Sequence, residues 1–133
     1  MVKKILFVDD DELMAEFAVM TMESGGFKVK HCISGKKALA TVEQYSPDLI
    51  LLDIQMPDMD GKQTLSELKK IESAKNIPVI FLTWSPNKKD AETYAKMGVI
   101  GVIGKPFDAK TLCQTIKKLC ISKWMKILIK KVL

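Results

Sequence analysis

Short runs of β-branched and other apolar residues recur along the chain, and each is followed by a longer stretch in which apolar positions return every three or four residues. That alternation is the pattern of βα units wound on a parallel sheet. It predicts strands at Lys4–Val8, Lys28–Cys32, Leu49–Asp53, Val79–Thr83 and Val99–Ile103. Three of these are nearly unbroken apolar segments, as strands covered on both faces require. Helical periodicity fills the intervals over Glu12–Ser24, Gly35–Tyr45, Lys62–Ser73, Asn87–Met97 and from Ala109 onward, with Ala38, Leu39 and Val42 forming one inward stripe. Pro47, Pro57, Pro78, Pro86 and Pro106 all fall at element boundaries, where a missing N–H is tolerated. Ser34, Ser85 and Asp108 stand where side-chain oxygens cap helix starts, and Gly26 and Gly98 where helices stop. The expected fold is therefore α/β, a single doubly wound five-stranded parallel sheet with five flanking helices.

Composition narrows the class. At 133 residues with 47% hydrophobic and 28% charged positions, the chain suits one domain with one core and excludes a disordered or fibrous protein. Three cysteines, Cys32, Cys113 and Cys120, are an odd number without CxxC spacing, so a reduced, cytoplasmic chain without a disulfide framework is expected. The opening MVKKILFVDD is broken by carboxylates well short of the ~20 apolar residues of a membrane span, and reads as a strand. All 21 basic residues are lysines, so despite the net charge of +5 no arginine fork is available to read bases, and direct nucleic-acid binding by this domain is not expected. Charge is uneven: residues 1–60 hold 6 lysines against 11 acids, and residues 61–133 hold 15 against 5.

The loops that follow the carboxyl ends of strands form the ligand crevice of an open parallel sheet. This rule selects Asp9 and Asp10 after the first strand, Asp53 ending the third, Thr83 ending the fourth and Lys105 just after the fifth. Three carboxylates in one cleft repel one another unless protonated or neutralised. Oxygen ligands without nearby His or Cys favour Mg²⁺ or Mn²⁺, and an ammonium plus a hydroxyl suit phosphoryl oxygens. A phosphate site with its own acceptor carboxylate is the chemistry expected.

The segments FVDDDE, LILLDIQMPDMDG, VIFLT and GVIGKPF, in this order and spacing, resemble the receiver domains of two-component response regulators over about residues 2–120. The resemblance implies the flavodoxin-like strand order 2-1-3-4-5, with residues 121–133 extending the last helix or forming a linker. It implies a metal held by Asp9, Asp10, Asp53 and the Gln55 backbone carbonyl. It also implies that Asp53 is the phosphoacceptor, that Thr83 and Lys105 bind the phosphoryl group, and that the Lys105–Pro106 bond is cis. The implied partners are a sensor histidine kinase or phosphotransfer protein as donor and a downstream protein target. A domain that catalyses only its own phosphorylation and dephosphorylation is not a turnover enzyme.

Two residues depart from the family pattern. Val102 stands where receivers usually carry an aromatic on the last strand, and Trp84 follows Thr83 where a small residue is usual. They leave open a pseudo-receiver, a phosphorylation-independent interaction module. A phosphatase with an aspartyl intermediate is disfavoured because Gln55, not an acid, lies two residues after Asp53, and flavin binding because no phosphate loop follows the first strand. Single His31 reads as packed or solvated, and Asp58 and Asp60 as turn residues. In the tail, Leu112, Ile116, Cys120, Trp124 and Ile127 form one helical stripe expected to dock on the sheet; Ile121, Met125, Ile129 and Val132 form a second without obvious cover, which suggests a homodimer or another partner.

Overall fold

The computed structural model describes residues 2–132. Strands β1 (Lys4–Val8), β2 (Lys28–Cys32), β3 (Leu49–Asp53), β4 (Val79–Thr83) and β5 (Val99–Gly104) alternate with helices α1 (Glu12–Ser24), α2 (Gly35–Tyr45), α3 (Gly61–Leu68), α4 (Lys88–Lys96) and α5 (Ala109–Val132). Every pairing is parallel and the spatial order is β2-β1-β3-β4-β5. This is the doubly wound, flavodoxin-like arrangement.

Successive strand residues point to opposite faces. Leu6, Val8, Ile50, Leu52 and Phe81 accordingly pack with Ala38 and Val42 of α2, Leu65 and Leu68 of α3 and Tyr94 of α4. Ile5, Phe7, Leu49, Leu51, Ile80 and Leu82 pack on the other side with Ala15, Ala18 and Met22 of α1 and Leu112 and Ile116 of α5. Each fully buried Leu, Ile or Phe contributes about 1.5–3 kcal/mol. Unbroken apolar strands in the sequence are the one-dimensional image of these two cores. Edge strand β2 instead alternates, keeping Lys28 and Lys30 exposed, which discourages pairing with another sheet.

Several local boundaries differ from expectation by a residue, as where β5 runs on to Gly104, and three differences bear on capping or packing. Helix α3 ends at Leu68 rather than Ser73. Beyond it, Ile71, Ala74 and Ile77 donate to the carbonyls three residues earlier, so the spacing of Leu68, Ile71 and Ala74 is satisfied by tight turns instead of helix. Helix α4 is capped by Asn87, whose side chain accepts from the Lys89 N–H, and not by Ser85. Ser85 lies two residues before that cap, with its N–H donating to Thr83 Oγ1 at 3.1 Å. Ser34 caps α2 as expected, and Gly26 and Gly98 take the left-handed φ of 98° and 89° past the ends of α1 and α4.

The third difference concerns α5. Leu112, Ile116 and Cys120 are buried, but Trp124 is 55% exposed and Ile127 only half-buried, so the expected docking stripe loosens after Cys120. At 1.5 Å per residue a 24-residue helix is about 36 Å long, whereas a strand of five or six residues reaches only about 20 Å. The helix outruns the sheet it covers. Among the described residues no helix is long and apolar enough to cross a membrane.

Candidate functional site

Strand ends position the chemistry. Asp9 follows β1 directly, with its N–H bonded to the Cys32 carbonyl at 3.1 Å, and Asp53 is the last residue of β3, in register with Leu82. Lys105 follows β5, its N–H held by the Thr83 carbonyl at 2.7 Å, and its bond to Pro106 is cis. These side chains converge at one end of the sheet. Lys105 Nζ lies 2.8 Å from Asp9 Oδ2 and 3.0 Å from Asp53 Oδ2. Asp9, Asp53 and Lys105 are 0%, 2% and 6% exposed, while Asp10 beside them is open to solvent.

Burial in this cluster has electrostatic consequences. Desolvation pushes the Asp53 carboxyl up to about 6; the Asp9 charge adds to the rise, and Lys105 and the Gln55 N–H oppose it. For Lys105 burial favours the neutral amine, but hydrogen bonds to Asp9 and Asp53 overcome it and hold the ammonium above its ordinary pKa. One ammonium faces three carboxylates, so the cluster carries excess negative charge. One oxygen from each of Asp9, Asp10 and Asp53 lies within 4.8 Å of the others. A donor set made only of hard oxygens, with charge left to neutralise, fits a hard divalent cation.

The surrounding loops shape the site. The Gln55 N–H donates to Asp53 Oδ1 at 3.2 Å, and the Gln55 side-chain amide reaches Thr83 Oγ1 at 3.1 Å. Thr83 is thereby linked to the loop that follows Asp53. Asp58 adopts a left-handed φ of 65°, and Asp60 caps α3 in a reciprocal capping box with Gln63, so both serve the turn, as expected of them. Gly61 is required: a Cβ there would lie 2.4 Å from the Asp53 carbonyl oxygen. His31 donates from Nε2 to the Asp9 carbonyl at 2.8 Å and packs edge-on to Phe7. Sequence reasoning missed two of these contacts, His31 with Asp9 and the Gln55 amide with Thr83.

The departures lie close by. Trp84, 52% exposed, places its ring centroid 5.7 Å from Lys105 Nζ, a cation–π approach to the ammonium. Val102 packs partly buried on the inner face of β5. Cys32, Cys113 and Cys120 are free thiols. Two cavities, of about 300 and 570 Å³, lie beside α5 at the opposite end of the sheet.

Fold and cluster together define a receiver-type signalling module. The model of the response regulator receiver domain matches residues 5–117, and the chain belongs to that family. It is 34% identical over 117 residues to the polar-differentiation response regulator DivK of Brucella ovis, covering 88% of this chain and 95% of that protein. It is 36% identical over 115 residues to the probable transcriptional regulator ycf29 of Porphyra purpurea, covering 86% of this chain but spanning only about half, 55%, of that relative. Among solved structures, the chemotaxis protein CheY4 of Vibrio cholerae superposes with a TM-score of 0.82 at 26% identity, covering 90% of this chain and 99% of that one. The N-terminal domain of a response regulator receiver protein from Methanoculleus marisnigri superposes with a TM-score of 0.74 at 33% identity, covering 89% and 96%.

Proposed function

We propose that this chain is a phosphoacceptor switch that takes a phosphoryl group from a phosphohistidine of a sensor histidine kinase or phosphotransfer protein onto Asp53. An Asp53 carboxylate oxygen attacks phosphorus, the phosphorus–nitrogen bond breaks, and the donor imidazole leaves with the electron pair, giving an acyl phosphate. The observation that carries this reading is the buried acid cluster paired to Lys105, with Nζ 3.0 Å from the acceptor carboxylate.

Phosphoryl transfer depends on positioning and charge neutralisation more than on covalent chemistry. Lys105 is held in place by Asp9, so its ammonium already faces the oxygen that would receive phosphorus. Asp53 is fixed through the Gln55 N–H, and the Thr83 hydroxyl stands at the adjoining strand end as a donor to phosphoryl oxygens. Asp9, Asp10, Asp53 and the Gln55 backbone carbonyl would hold Mg²⁺ or Mn²⁺. When bound, the ion supplies positive charge against the phosphoryl oxygens and the repelling acids. Water attack on the same phosphorus returns Asp53 to carboxylate and ends the signal. The domain would act on itself, not turn over a substrate, and would relay its state in the cytoplasm to a downstream protein target.

A second reading, a pseudo-receiver that binds partners without phosphorylation, is favoured by Val102 and by Trp84 standing over Lys105. One experiment separates the two. The chain is incubated with Mg²⁺ and a small phosphodonor or a histidine kinase, and intact mass is measured for wild type and Asp53→Ala. Gain of one HPO₃ unit by wild type alone supports the switch. Absence of an adduct with every donor supports the pseudo-receiver.

A further inference from the structure

Helix α5 reverses the polarity of its faces near Cys120. In its first half the sheet-facing positions Leu112, Ile116 and Cys120 are buried, and the outward positions Gln114, Lys117 and Lys118 are polar. At 3.6 residues per turn, the sheet-facing line continues through Lys123, Ile127 and Lys130. The outward line becomes Ile121, Met125, Leu128 and Val132, which are 54%, 52%, 52% and 81% exposed. Trp124 and Ile129 flank it, each about half exposed. An apolar ridge about 16 Å long thus points away from the core of its own domain. A helix serving only to cover the sheet would carry those residues on the other side.

Charge selects what covers the ridge. Residues 109–133 contain no Asp or Glu, and the ridge is bordered by Lys117, Lys118 and Lys131. A second copy packed ridge to ridge would place lysines opposite lysines along its seam, with no acid to pair them. Nucleic acid would leave the apolar residues uncovered. An apolar stripe with a tryptophan at its margin and cationic borders instead matches the boundary between acyl chains and anionic headgroups.

We propose that the second half of α5 docks in the plane of an anionic lipid surface, with Ile121, Met125, Leu128 and Val132 entering the acyl boundary. Lys118 and Lys131 meet the headgroups on either side. Trp124 lines a cavity with Val2 and Pro78, before the amino ends of β1 and β4, so the docked end is opposite Asp53 and leaves the acid cluster open to partners.

The test is co-sedimentation with phosphatidylcholine vesicles and with vesicles of equal parts phosphatidylcholine and phosphatidylglycerol, with Trp124 emission followed in a Trp84→Phe background. Partition into the anionic vesicles, at least tenfold weaker into neutral ones and weakened by salt, is expected together with a blue shift of Trp124. The double substitution Met125→Glu and Leu128→Glu changes only exposed positions and should abolish binding with the circular dichroism spectrum retained. Independently, Lys118→Gln and Lys131→Gln should each weaken it roughly fivefold. Equal binding to both vesicles, binding that survives the glutamates, or no binding at all would overturn the proposal. A lipid-free dimer abolished by the same glutamates, without vesicle binding, would assign the ridge to a second copy.

Discussion

Replacing Asp53 by Asn should stabilise this protein at neutral pH in the presence of a chelator. The side chain is 2% exposed, and its carboxyl is pushed up to about 6, mainly by burial and secondly by the Asp9 charge. In the unfolded chain the same group titrates near 3.9. Between about pH 4 and 6 the folded protein therefore binds more protons than the unfolded one, and stability falls as pH rises through that window. A shift of about two units corresponds to a penalty on the order of 3 kcal/mol above pH 6. Asparagine removes the charge and keeps one oxygen, which can serve either Lys105, now on Oδ2, or the Gln55 N–H, now on Oδ1, but not both; Lys105 still pairs with Asp9 at 2.8 Å, so the lost charge outweighs the one lost hydrogen bond. Thermal melts in EDTA should place the Asn variant roughly 10 °C above wild type at pH 7.5, with the gap closing toward pH 4. A variant less stable at pH 7.5, or a gap unchanged on acidification, would refute this electrostatic account.

Lys105→Met leaves Asp9 and Asp53 buried without their shared ammonium. Urea unfolding at pH 7.5 should show a loss of about 3–5 kcal/mol, partly recovered by divalent cation. Gly61→Ala places a methyl group 2.4 Å from the Asp53 carbonyl oxygen, so the start of α3 must shift. A loss of about 1–3 kcal/mol in chemical denaturation and slower phosphorylation of Asp53 are expected. Asp60→Ala breaks the capping box with Gln63, and the same denaturation assay should register about 1 kcal/mol, with the acid cluster unaffected.

The strands were legible because burial on both faces writes a continuous apolar run, as in LILLD of β3. Local competition was not. Leu68, Ile71 and Ala74 are spaced for helix or for three-residue turns alike, and only the packing of that segment decides between them. Ser85 and Asn87 are both good caps, and the sequence does not rank them; the Asn87 side chain is the one that accepts from a first-turn N–H, that of Lys89. The convergence of Asp9, Asp53 and Lys105 could be read from strand ends, since topology alone brings those positions together. The contacts of the Gln55 amide and His31 could not, because they depend on how two loops fold. Nor does a helical stripe record where the sheet beneath it stops, which is why Trp124 was expected to be covered.

The claim on which the account turns is that Asp53 itself receives the phosphoryl group. After incubation with Mg²⁺ and a small phosphodonor, borohydride reduces an aspartyl phosphate to homoserine, which peptide sequencing by mass spectrometry can place. The account predicts homoserine at position 53 and nowhere else, dependent on Mg²⁺. Reduction at Asp9, Asp10 or any other position, or none with any donor, would contradict it.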